Sequence, residues 1–245
     1  MNHPARKIPA RFIPIAALCF LAAAAVPIVA PAAPNDVVRP CDGPQLNRMD
    51  RYEAVRRVAQ RNPAVIFLGD SITAFLATAE GRPAFNRHYA NLNAGIVAVS
   101  GDASVNTLWL LNTLPKITPK VVILLTGAND TRCNLSPATT AANTGKIISF
   151  VQANWQGARI LLIPTLPRDS DPEAVTGAGL ERRFAHTPGV KIVSMRDLFY
   201  NATRPLGLRD DVRDRVHPTA EKQEAMAARL GPVIERELRQ SSASD

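Results

Sequence analysis

Cysteine is scarce in this chain: three occur in 245 residues, and Cys19 falls inside an apolar N-terminal stretch. Only Cys41 and Cys133 remain beyond it, and no metal site follows from two thiols alone. Histidine is nearly as rare, with four residues of which His3 lies in the same leading stretch, so few side chains can serve as a general base near neutral pH. Aromatic residues make up 5% of the chain. The formal net charge is +8, yet the basic residues are scattered singly or in pairs such as Arg56-Arg57 and Arg182-Arg183. A basic stripe interleaved with aromatics is missing, which argues against a nucleic-acid partner and leaves a solvated basic surface. No biased run follows the N-terminal segment, and with 46% hydrophobic and 20% charged residues the composition is that of one globular domain with ample core.

The first 32 residues read as an export signal. Arg6, Lys7 and Arg11 make a positive start, residues 12–29 form an apolar run, and Ala30-Pro31-Ala32 supplies small residues for cleavage. A retained membrane anchor is the competing reading, because the run approaches the length of the shortest spans; Pro14, Pro27 and the abundance of alanine weigh against it. Residues 33–45, rich in Pro, Asp and Gly, are expected to run over the surface, residues 46–240 to form the domain, and 241–245 to be a disordered tail. In the oxidising compartment that export implies, Cys41 and Cys133 are candidates for a disulfide; two buried free thiols are the alternative.

Five apolar runs punctuate the domain: residues 65–68, 96–99, 121–125, 160–163 and 190–193, the last interrupted by Lys191. Helical candidates alternate with them at about 46–61, 72–79, 103–114, 137–155 (Ser136 as N-cap and Pro137 at the first position), 172–184, and from about 219 onward, where Met226, Leu230, Ile234 and Leu238 recur every four residues. Strands without polar alternation that alternate with helices predict an α/β fold: a three-layer sandwich around a mostly parallel five-stranded sheet. Ligands of such sheets bind beyond the carboxyl ends of the strands. The first three runs end in Gly69-Asp70-Ser71, Ser100-Gly101-Asp102 and Gly127-Ala128-Asn129-Asp130, so these segments should converge.

A serine at the end of a buried strand and the start of a helix is well placed for a nucleophile, since first-turn N–H groups lack intrahelical acceptors. The competing reading is an ordinary turn in which Asp70 or Ser71 caps the helix. Near the far end of the chain, Asp214 and His217 are three apart in a polar loop. On a compact turn that spacing lets a carboxylate hold one imidazole nitrogen while the other faces outward, as a general base requires; a solvated charged loop is the alternative.

Taken in order, Gly69-Asp70-Ser71-Ile72-Thr73, Gly101, Gly127-Ala128-Asn129-Asp130 and Asp214-Arg215-Val216-His217-Pro218 resemble the four sequence blocks of the SGNH (GDSL) hydrolases. Leu108-Trp109 and Leu166-Pro167-Arg168 look most like the branch similar to platelet-activating-factor acetylhydrolase subunits. The resemblance implies a flavodoxin-like fold and a serine esterase that needs no cofactor and no metal. It further implies Ser71 as nucleophile, His217 as base, Asp214 as its orienter, and an oxyanion hole made of the Ser71 and Gly101 N–H groups and the Asn129 amide. Gly95, in Asn93-Ala94-Gly95, competes with Gly101 for the second block. Asn129-Asp130-Thr131 also matches a glycosylation sequon, but a pocket-lining residue is a poor acceptor, so Asn129 reads as a donor. The expected substrate is a small-molecule or polymer-linked ester with a short, acetyl-like acyl group. Longer acyl chains on a lysophospholipid or thioester, or carbohydrate binding without turnover, are the alternatives. Trp109, Tyr89 and Trp155 are candidate liners of a sugar or acyl site, or core.

Overall fold

A computed structural model describes residues 49–166, 171–199, 212–213 and 216–242. The segment read as an export signal, residues 33–45 with Cys41, Asp214 and residues 243–245 lie outside the described residues, whereas Ser241 and Ser242, expected in the tail, close the last helix. The first element is helix α1 (Met49–Ala59), which buries Tyr52, Val55 and Ala59 and so keeps the helical spacing expected of it. Strand β1 (Val65–Gly69) follows, then β2 (Ala94–Ala98), β3 (Val121–Leu125), β4 (Arg159–Leu162) and β5 (Val190–Ile192), all joined in parallel in the order β2-β1-β3-β4-β5.

That order makes the strands apolar on both faces. Val65 and Phe67 of β1, with Val121, Ile123 and Leu125 of β3, face helices α2 (Ser71–Ala74), α3 (Arg82–Tyr89) and α7 (Ala220–Ser242). Ile66 and Leu68, with Val122 and Leu124, face α1, α4 (Ser104–Leu111), α5 (Pro137–Asn154) and α6 (Asp171–Phe184). Successive residues of β1 and β3 enter different cores, so every position there is apolar, while Arg159 at the start of β4 and Lys191 in the edge strand β5 are partly exposed. A short antiparallel pair, β6 (Val212–Arg213) with β7 (His217–Pro218), sets Arg213 opposite His217 just before α7.

The predicted elements shift at their ends for identifiable reasons. The helix expected over 72–79 is a single α turn followed by a 3-10 turn, Phe75–Ala77. Thr78 ends it by donating its hydroxyl to the Phe75 carbonyl at 2.7 Å. The helix expected to reach 114 stops at Leu111, where Thr113 and Leu114 close tighter turns onto Leu110 and Leu111. Strand β2 starts two residues early because Gly95 lets it press against Val58 and Pro63. Helix α3 answers to no predicted segment; Pro83 in its first turn and the buried Ala84, Phe85 and Tyr89 account for it.

Candidate active site

The chain runs from β1 to β2 on one side and then to β3 on the other, so β1 and β3 flank the point where the strand order reverses. Crevices in open parallel sheets form there, and Ser71 follows β1 directly while Asn129 lies four residues past β3. Gly69 is fixed by crowding at this point: a Cβ would collide with the Leu125 carbonyl oxygen of the neighbouring strand.

Asp70 is the N-cap of α2, accepting the Ile72 N–H on Oδ1 at 3.0 Å. Capping and nucleophile readings of this stretch are therefore compatible, since Asp70 caps and Ser71 becomes the first helical residue. The Ser71 hydroxyl is half-buried and bonded to Nε2 of the half-buried His217 at 2.7 Å. The two residues are 146 apart in the chain, and β7 places the imidazole against the start of α2. His88, by contrast, is bonded through Nε2 to Glu224 on α7 at 2.7 Å. Asp214, expected to orient His217, lies outside the described residues.

The second Asp70 oxygen accepts the Ala128 N–H at 3.3 Å, tying the serine turn to the segment after β3. Asp130 ties that segment to α4 and α5: it accepts the Ser104 N–H at 2.7 Å, the Ser104 hydroxyl at 2.6 Å and the Thr140 hydroxyl at 2.6 Å. Between these two carboxylates Asn129 is half-buried and donates Nδ2 to the Asp102 carbonyl at 2.9 Å. Gly101 occupies the third position of a turn closed by the Asp102 N–H onto the Val99 carbonyl, with φ of +84°. A side chain is strained at that φ, so glycine is the residue that fits. Arg132 braces the turn with a 3.1 Å bond to the Gly101 carbonyl.

Gly95 is elsewhere. It pairs with Ile66 near the start of β2, where a Cβ would meet Pro63 and Val58. That is the amino end of the sheet, so Gly95 does not reach the crevice and Gly101 does. The three aromatic candidates pack in or against the core. Tyr89 is 2% exposed and packs on Phe67 and Phe85, and burial, with Glu224 nearby, pushes its phenol well above the ordinary tyrosine range. Trp155 is buried beneath α5 against Phe150, and Trp109 packs edge-on to Tyr52 at 4.7 Å. Leu166 is core, and Pro167 and Arg168 lie outside the described residues.

Sequence reasoning named Asp70 only as a possible cap and Asp102 and Asp130 only as letters in motifs. The structure makes them the parts that bind one strand end to the next. The available signal was three aspartates, each beside the end of a predicted buried strand, where a carboxylate that is itself buried must be bonded.

The GDSL-like lipase/acylhydrolase family model matches residues 67–225 of the chain. No curated protein matches significantly. Solved structures share the fold at low identity. A GDSL-like lipase from Bacteroides thetaiotaomicron is 18% identical with a TM-score of 0.59, covering 77% of this chain and 96% of that one. A carbohydrate esterase family 3 protein from Talaromyces cellulolyticus is 17% identical with a TM-score of 0.56, covering 72% and 98%. A carbohydrate acetylesterase family member from Sinorhizobium meliloti is 16% identical with a TM-score of 0.51, covering 72% and 99%.

Proposed function

Because the chain belongs to the GDSL-like lipase/acylhydrolase family, we propose that it is an exported serine esterase whose nucleophile is Ser71, with His217 as general base and Asp214 as the carboxylate that orients it. Membership makes it a carboxylic ester hydrolase; the assignment of roles rests above all on the 2.7 Å bond between the Ser71 hydroxyl and His217 Nε2. In this reading His217 takes the hydroxyl proton as Ser71 Oγ attacks the ester carbonyl, forming a tetrahedral oxyanion. The Ser71 N–H, the Gly101 N–H and one N–H of the Asn129 amide hold that oxyanion. An amide nitrogen carries two hydrogens, so Asn129 can bond the Asp102 carbonyl and still offer one. Collapse expels the alcohol with the proton from His217, and water then repeats the cycle on the acyl-enzyme to release the acid. The residues need no metal and no cofactor for these steps.

A short acyl group fits the surroundings. The cavity behind Ile72 and Thr73, walled by Tyr89, Met195, Met226 and Leu230, measures about 30 Å³, room for about one water-sized group. The likeness to a carbohydrate esterase and a carbohydrate acetylesterase points the same way. Export rests on the N-terminal pattern, and a Cys41–Cys133 bridge is supported by the bonded state of the Cys133 thiol. The reading is tested by hydrolysis of nitrophenyl esters of increasing acyl length with wild type and Ser71→Ala. Activity on acetate that falls with chain length and disappears in Ser71→Ala is expected; equal rates for the two proteins would refute the nucleophile assignment.

A further inference from the structure

The turn that carries Gly101 is held from a direction the family pattern does not include. Tyr52 lies on α1, ahead of the residues 67–225 that the family model covers. It is 1% exposed, and its hydroxyl donates to Asp102 Oδ1 at 2.8 Å inside the protein. Its ring stacks edge-on against Trp109 of α4 at 4.7 Å, so a phenylalanine would fill the same space. What the hydroxyl adds is its bond to a buried carboxylate.

Asp102 is the residue through which the two proposed oxyanion donors outside Ser71 meet. Its N–H closes the turn onto Val99 and so sets the course of Gly101; its carbonyl accepts the Asn129 amide at 2.9 Å. A carboxylate in an apolar interior takes the orientation its donors dictate. A backbone turn whose side chain is anchored to a helix has less freedom than one held by its ends alone.

Resting on the serine-esterase reading above, we propose that Tyr52 is a positioning residue for the oxyanion hole, acting through Asp102 on the Gly101 N–H and the Asn129 amide. It touches no reacting atom. Its contribution falls on the tetrahedral state, where the donors must meet the developing charge, and not on the bound ester.

The test is a kinetic cycle on the full chain with nitrophenyl acetate: wild type, Tyr52→Phe, Asn129→Ala and the double variant, with Ser71→Ala in parallel. Removing an oxyanion donor typically costs on the order of 10²- to 10³-fold in kcat, so Asn129→Ala should lose that much, and Tyr52→Phe, which only loosens the donors, on the order of 10-fold at nearly unchanged KM. In the Asn129→Ala background, Tyr52→Phe should cost less than its single loss, because one of the donors it steadies is already gone. Affinity for a short alkylboronic acid, which forms a tetrahedral adduct on the serine, should weaken in parallel with kcat. That affinity also serves as the readout from the Asp102 side through Asp102→Asn, which keeps an acceptor oxygen for the Tyr52 hydroxyl and should bind the boronic acid more tightly than Asp102→Leu, should Tyr52→Phe not fold. Wild-type kcat in Tyr52→Phe, or a loss that multiplies fully with that of Asn129→Ala, would overturn the proposal, as would equal boronic-acid affinity in the two Asp102 variants. Active Ser71→Ala would instead bring down the serine-esterase reading, and the proposal with it.

Discussion

Replacing Asp70 by alanine tests whether strand-end carboxylates hold the site together. Asp70 is fully buried and accepts two backbone donors, Ile72 N–H and Ala128 N–H, from opposite sides. Alanine removes the cap of α2, worth about 1 kcal/mol, and leaves the Ala128 N–H unsatisfied in the interior, worth about 1–3 kcal/mol. The sum is roughly 2–4 kcal/mol, and at about 2–4 °C per kcal/mol for a domain of this size it lowers Tm by roughly 5–15 °C. Asp70→Asn should lose less, since its oxygen still caps Ile72 while its amide nitrogen faces the Ala128 N–H donor to donor. The assay is urea unfolding followed by circular dichroism, with the slope checked for constancy so that the midpoint reports stability. Because Asp70 adjoins Ser71, kcat of the folded Asp70→Ala protein should also fall. A midpoint within about 0.5 kcal/mol of wild type would refute the reasoning, since a surface substitution would do as little.

Two glycines should part company. Gly101→Ala puts a side chain at φ of +84° beside the proposed oxyanion hole, costing about 1–2 kcal/mol and lowering kcat. Gly95→Ala drives a Cβ to 2.8 Å from Pro63 and 2.9 Å from Val58, destabilising by roughly 1–3 kcal/mol with kcat of the folded protein unchanged; melting and kinetics on both variants check this. Glu237 gives a pH dependence. Its side chain is 2% exposed and bonded to Lys191 at 3.0 Å and Arg159 at 3.1 Å. Burial pushes its carboxyl up, but the bonds from Lys191 and Arg159 outweigh that and hold it below the ordinary glutamate range. A lowered folded-state pKa means stabilisation present above the ordinary value, near ~4.3, and lost as pH falls through the folded value. Glu237→Gln should therefore unfold roughly 1–3 kcal/mol more easily at neutral pH, with the gap to wild type closing as the pH falls below the ordinary glutamate range.

The sheet was legible because its inner strands, covered on both faces, are apolar almost without interruption. Residues 121–125 match β3 from end to end, and Ser136-Pro137 marks the start of α5, with the Ser136 hydroxyl accepting the Thr139 N–H. Strand order was not legible, because nothing in a run of valines and leucines says which neighbour it takes; the reversal beside β1 that creates the crevice came only with the fold. Helix α3 escaped because eight residues of mixed polarity offer two turns of pattern at most. At the site, residue types and their order pointed to Ser71, Gly101, Asn129 and His217, and the structure brings Ser71 to His217 and Asn129 to the Gly101 turn. The supporting bonds of Asp70, Asp102, Asp130 and Tyr52 were hidden, because each joins segments remote in sequence through a partner that is a backbone group or a single hydroxyl.

The central claim, that Ser71 is a nucleophile activated by His217, is tested most directly by reaction with a fluorophosphonate followed by peptide mapping. The account predicts one adduct, on Ser71, formed far more slowly in His217→Ala while that protein remains folded. An adduct on another residue, or labelling of Ser71 at an undiminished rate without His217, would contradict it.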